Sequence, residues 1–355
     1  MATILIKNGR VWNGECFLEV DVLTEDNKIS KIERDITKDE AFVFDAKGKI
    51  VSAGLVDAHV HMRGISSETF GIQAEMSCFP FGVTSAADGG AGQGDRALLE
   101  SFMLKSLVFV PISIKCDRAD FEQTEKKLSD YGDRAVGVKV YLDTEASDVS
   151  SIIPLKQTCD FARKRNLRVM VHCSNSPVRI SEILDTLGEG DILTHAFHGG
   201  KNNAAEDNYE SISRAKARGV IIDAGLAGNV HTDFSVFGGA IKNGAAPSII
   251  STDITRLSAF VRGGRYGMTM CMSIARELGM SEADILRATT SAAARVLGKG
   301  DEWGYLKVGR AADIAVLDYT DEQFDLTDKA GNRVFSDKGY RCILTVSDGQ
   351  IVYVD

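Results

Sequence analysis

From Gly54 onward, apolar strand-like runs alternate with helical stretches, and this alternation constrains the fold more than any other feature of the chain. The runs are residues 55–61, 83–88, 107–114, 136–142, 168–172, 191–195, 220–224 and 248–253. Helical stretches lie between them at 95–105, 121–129, 152–165 and 209–218. Strands separated by helices pack as a parallel sheet under a helical layer. Eight such alternations over about 250 residues predict a (β/α)8 TIM barrel. Two further helices are expected at 267–278 and 282–297, with Ser281 as N-cap of the second.

The two ends of the chain read differently. Short β-like runs at 3–6, 18–23, 29–32 and 41–44 are punctuated by Asn8-Gly9, Asn13-Gly14 and Lys47-Gly48. Runs at 312–317, 342–346 and 350–353 close the chain, with Asp348-Gly349 as a hairpin turn. The expectation is an α/β protein with a small flanking β-sandwich built from both ends. Residues 1–53 and 301–355 form that sandwich, and 54–300 form the barrel.

Charge and composition narrow the function. The net charge of −9 argues against nucleic acid, whose binding rests on Lys and Arg contacts to phosphate. No apolar run approaches the roughly 20 residues that span a bilayer, so no membrane association is expected. The N-terminus has no basic segment leading into an apolar one, as a signal peptide would. The seven cysteines are scattered and never form C-x-x-C, which suits reduced thiols in the cytoplasm.

The chain has six histidines, and His59, His61, His172 and His195 close strand-like runs. Barrel enzymes place catalytic groups at the C-terminal ends of their strands. The i, i+2 spacing of His59 and His61 sends both rings to one face of a strand. Two neutral imidazoles converging in a barrel interior make half of a zinc site; two hydrogen-bonded core histidines have the same spacing. His172 and His195 hold the same relative position on successive strands, which favours the metal. Asp253 ends the eighth run, where it is either an N-cap or a carboxylate that ligates metal and takes a proton from water. Lys139 interrupts an apolar run, and alternation puts it on one face with Gly137 and Tyr141. It either pairs with Asp88 or Asp253, points outward, or reacts with CO2 to become an anionic ligand.

Together these residues resemble the amidohydrolase superfamily over essentially the whole chain. Gly54-Leu55-Val56-Asp57-Ala58-His59-Val60-His61 is similar to its first-strand motif. Gly304-Tyr305-Leu306-Lys307-Val308-Gly309-Arg310-Ala311-Ala312-Asp313-Ile314 is similar to its run returning to the β domain. The resemblance implies two Zn2+ ions, one held by His59, His61 and Asp253 and the other by His172 and His195. A carboxylated Lys139 would bridge them, a bridging hydroxide would attack, and Asp253 would be the general base. Within the superfamily the chain resembles dihydroorotase-like proteins, in which the arginine of H-x-H-x-R, here Arg63, holds a substrate carboxylate. Ser251-Thr252-Asp253-Ile254 departs from the dihydroorotase pattern and resembles a dihydroorotase-like deacetylase group. The implied activity is hydrolysis of an amide or ester in a small carboxylate-bearing substrate. The alternative is a cyclic amidase of dihydroorotase or hydantoinase type. His198 and His231 are further candidates for substrate contact, and a homo-oligomer is expected.

Overall fold

The computed structural model describes residues 3–228, 230–261, 265–321 and 324–355. Its centre is one curled parallel sheet. The strands are β1 (Leu55–Val60), β2 (Val83–Asp88), β3 (Lys105–Pro111), β4 (Ala135–Tyr141), β5 (Arg168–His172), β6 (Ile192–Thr194) and β7 (Ile221–Ile222), paired in sequence order. The predicted eighth run, 248–253, is not a regular strand. It touches both edges of the sheet through single bridges, Asp223 with Ile249 and Val60 with Ile254. Asp253 breaks its pleat, with φ of 47° in the left-handed region. Side chains replace the missing ladder: Asp57 of β1 accepts from Thr252 Oγ1 at 2.6 Å and from Thr252 N at 3.1 Å.

Three other expectations are corrected. The helix expected at 95–105 covers only Arg96–Glu100, because Ser101 turns its hydroxyl onto Leu98 O and Lys105 already pairs with Ser85 in the sheet. The run 107–114 leaves the sheet after Pro111, and Ser113–Lys115 forms its own hairpin with Arg118–Asp120. The helix expected at 282–297 is two, Glu282–Thr289 and Ser291–Val296, interrupted at Thr290 with φ −129° and ψ −96°. Ser281 does cap the first of them, accepting from Asp284 N.

The sheet interior is apolar at its lower end. Val56, Leu107, Phe109, Met170, Ile192 and Ile249 cluster there, sealed by the helix Ser291–Val296 and Trp303. The strand ends above this plug therefore lie in a low-dielectric setting. The termini form two more sheets. Ile4–Lys7, Asp21–Glu25, Lys28–Glu33 and Phe42–Asp45 make the first. Arg10–Trp12, Phe17–Glu19 and Ile50–Ala53 join Ile314–Thr320, Gly339–Ser347 and Gln350–Val354 in the second. Ile4, Val22, Val51, Ile314 and Leu344 belong to one buried cluster, so the two sheets share a core. A hairpin of Phe324–Thr327 and Arg333–Ser336 was not foreseen from the sequence. No helix among the described residues is long and apolar enough to cross a membrane.

Candidate metal centre

The strand ends bring two groups of potential ligands together. His59, His61 and Asp253 form one, and His172, His195 and His231 the other, with the ligand atoms of each group within 4.8 Å of one another. Asp253 joins them. Its Oδ1 lies 3.2 Å from His59 Nε2 and 3.0 Å from His61 Nε2. Its Oδ2 lies 3.6 Å from His195 Nε2 and 3.8 Å from His231 Nε2.

The outer hydrogen bonds fix which nitrogen of each ring carries the proton. Thr194 Oγ1 donates its one hydrogen to Asp223 Oδ2 at 2.7 Å, so the 3.1 Å contact with His59 Nδ1 requires Nδ1–H to donate. Ser66 Oγ likewise donates to Asp88 Oδ1 at 2.7 Å, so His61 Nδ1–H donates to Ser66 at 2.8 Å. His195 Nδ1–H donates to the carbonyl of Gly225 at 2.6 Å. In the neutral rings each Nε2 is then a bare lone pair. Burial depresses the pKa of His59 and His195 well below the usual histidine value and brings His231 to about 3, so these rings are neutral.

Three lone pairs therefore converge on a carboxylate. Among the described residues, His195 Nε2 and Asp253 Oδ1 are buried with no hydrogen-bond partner. Each unsatisfied buried group costs about 1–3 kcal/mol, and facing lone pairs repel. A cation removes both penalties, and imidazole nitrogen with carboxylate oxygen is a donor set that suits zinc. His172 is the exception in orientation. Its Nε2–H donates to Asp143 Oδ2 at 2.9 Å, which leaves Nδ1 as its free donor atom.

Local backbone serves this geometry. His195 and Asp253 both adopt left-handed conformations, φ 59° and 47°, at a cost of about 1–3 kcal/mol each. The loop after β2 passes so close that a Cβ at Gly89 would lie 2.1 Å from His59 Cδ2. Only glycine fits there.

Lys139 is fully buried at the end of β4, and neither of its ordinary explanations holds. It does not point outward. Among the described residues no carboxylate lies within ion-pair distance of it. Its Nζ sits 3.0 Å from His59 Nε2 and 3.3 Å from Met170 Sδ. Burial lowers its pKa to about 8.

The remaining expected residues divide. His231 lies nearer the ligand groups than expected: its Nε2 faces Asp253 and its Nδ1 contacts Ser174 Oγ at 2.8 Å. His198 is buried three residues past His195, with Nδ1 accepting from Gly200 N at 3.1 Å. Arg63 is not drawn into the cluster. More than half of its side chain is exposed, and its Nε donates to Glu68 at 2.9 Å. Strand alternation had ended before it, since Met62 bridges to Ile72. Sequence reasoning missed the residues behind the ligands, namely Asp143, Thr194, Asp223, Ser66 and Asp88. The available signal was a polar residue at the end of an apolar run, as in Ile221-Ile222-Asp223.

Comparison with known proteins places the chain in a family. Residues 50–352 match the model of the amidohydrolase family, and the chain belongs to that family of hydrolases. It is 27% identical to a deacetylase of Enterococcus faecalis over 98% of each chain. It is 26% identical to a deacetylase of Agrobacterium fabrum over 81% of this chain and 75% of that one. Among solved structures, a dihydroorotase superposes over all of both chains with a TM-score of 0.87 at 22% identity. An adenine deaminase gives 0.86 at 24%. At these identities the structural likeness speaks for the fold.

Proposed function

We propose that this hydrolase uses two divalent cations, zinc by donor type, to remove an acyl group from a small carboxylate-bearing substrate by cleaving an amide or ester bond. The observation that carries the reading is the convergence of imidazole nitrogens on Asp253, with His59 and His61 Nε2 at its partnerless Oδ1 and His195 Nε2 facing its Oδ2. The two deacetylase relatives, one matched over nearly its full length, favour acyl removal.

His59, His61 and Asp253 would hold one ion, and His172 and His195 the other. Lys139 would add an anionic ligand once carboxylated, its neutral amine forming an N–C bond with CO2 and giving up a proton. Such ions polarise a carbonyl and lower the pKa of water to about 7. Asp253 accepts the proton of the attacking water at its carboxylate and delivers it to the leaving nitrogen or oxygen. Thr194 and Ser66 keep the rings turned so that Nε2 faces inward. In this reading residues 54–300 are a (β/α)8 barrel, with 1–53 and 301–355 as a β-sandwich beside it. The chain works in a reducing cytoplasm, where its cysteines stay free.

A substrate panel tests the reading. Purified protein with zinc is offered N-acetyl and O-acetyl carboxylic acids beside cyclic ureides such as hydantoin and dihydroorotate. Acetate release from the acyl acids supports it. Turnover confined to the cyclic ureides replaces it with a cyclic amidase.

A further inference from the structure

We propose that Lys329, carried on the C-terminal hairpin, and His198 form the anion subsite that holds the substrate's carboxylate, the task the sequence pattern gives to Arg63. This rests on the acyl-hydrolase reading above and names the residues that select its substrate.

A cavity of about 270 Å3 opens beside His231. His198, Asn175, Gly200 and Ser174 line one part of it, and Lys329 and Ala330 at the hairpin turn line another. It therefore adjoins the second ligand group.

The hairpin is held there by specific bonds. Asp328, 4% exposed, accepts from Phe234 N at 2.7 Å, at the start of the helix Phe234–Lys242. Asn332 donates to Asp233 Oδ1 at 3.1 Å and to Asp328 Oδ2 at 2.8 Å. Asn332 N and Asp328 N close the turn on each other's oxygens. The turn thus presents Lys329 to the cavity from a fixed base. Lys329 itself is exposed, with no hydrogen bond and no carboxylate within ion-pair distance among the described residues.

His198 supplies the second donor. Its Nδ1 accepts from Gly200 N, so the neutral ring carries its proton on Nε2. That Nε2–H is buried without a partner. Lys329 and His198 both line this cavity, and an unpaired ammonium beside a buried ring with an orphaned N–H calls for an anion. The cavity's own carboxylate, Asp233, makes no ion pair with Lys329 among the described residues. Its Oδ1 is taken by Ser235 N, Ser235 Oγ, Val236 N and Asn332 Nδ2, as a helix cap. Arg63 is bound to Glu68 instead.

N-acetylglycine and its uncharged amide are the probes. Lys329→Ala should raise KM for N-acetylglycine by about tenfold to a hundredfold, leave kcat within about twofold, and leave the amide unaffected. Lys329→Arg should keep most of the affinity for the acid. Equal effects on acid and amide, or none on either, overturn the subsite. A wild-type protein that cleaves neither probe removes N-acetylglycine as a substrate, and calorimetry of N-acetylglycine binding still reads the subsite. Binding by wild type that weakens by the same factor in Lys329→Ala supports it. No binding by wild type, or equal binding by both, overturns it.

Discussion

The His59–His61–Asp253 group and the His172–His195–His231 group share one carboxylate but are anchored in different ways. In the first, each ring is backed by a hydroxyl that is itself locked to a buried carboxylate, Thr194 on Asp223 and Ser66 on Asp88. In the second, His195 leans on the carbonyl of Gly225 and His172 on Asp143. His231, in the loop after β7, leans on Ser174 alone. The first group contains a negative charge of its own. The second contains only imidazoles and borrows the far oxygen of Asp253. A divalent cation placed among neutral rings needs an anion. In the proposed reading the buried Lys139, 3.0 Å from His59, would become that anion by carboxylation. On that reading the first group is the rigid site and the second is the one that would depend on Lys139.

The largest expected effect falls on the shared residue. Asp253→Asn should retain most metal yet lose about 10²–10⁴-fold in kcat, measured by steady-state kinetics with parallel metal analysis. A near-normal kcat would remove Asp253 as the proton carrier. Next comes the residue that completes the second group. Lys139→Ala should lower bound metal to about one ion per chain, with partial recovery of activity in millimolar acetate or propionate. Unchanged metal content would mean that Lys139 is no ligand.

Smaller effects sharpen the contrast in anchoring. Thr194→Val removes the acceptor for His59 Nδ1–H and should weaken metal binding about 10–100-fold in a chelator competition. Ser174→Ala should cost less, because Ser174 is not locked to a carboxylate in the way Thr194 is. The reverse order would undo the distinction between a rigid and a dependent group. His231→Asn separates two roles for that ring. A fall in metal content makes it a ligand, and a rise in KM at constant metal makes it a substrate contact.

The strand ends were legible because each ligand-bearing strand is a short apolar run closed by a polar residue, as in Val169-Met170-Val171-His172. Periodicity reports such runs directly. Asp253 could be placed at the end of its run, but not the left-handed backbone that aims it, since tertiary bonds from Asp57 and β1 impose that conformation. Lys139 was legible as an oddity, while its lack of a carboxylate partner depends on which strands face it. Arg63 follows the linear spacing past the point where β1 has ended, and its pairing with Glu68 could not be read from that spacing. The hairpin carrying Lys329 went unseen for a related reason. Its strands are four residues each, and Asp328 and Asn332, which fix its turn, act through contacts with residues nearly a hundred positions away.

The most direct test of the central claim is the divalent metal content of the purified protein, set against its activity on N-acyl carboxylates. Two ions per chain are predicted, with activity lost on chelation and restored by zinc. Full hydrolytic activity in metal-free protein would contradict the account.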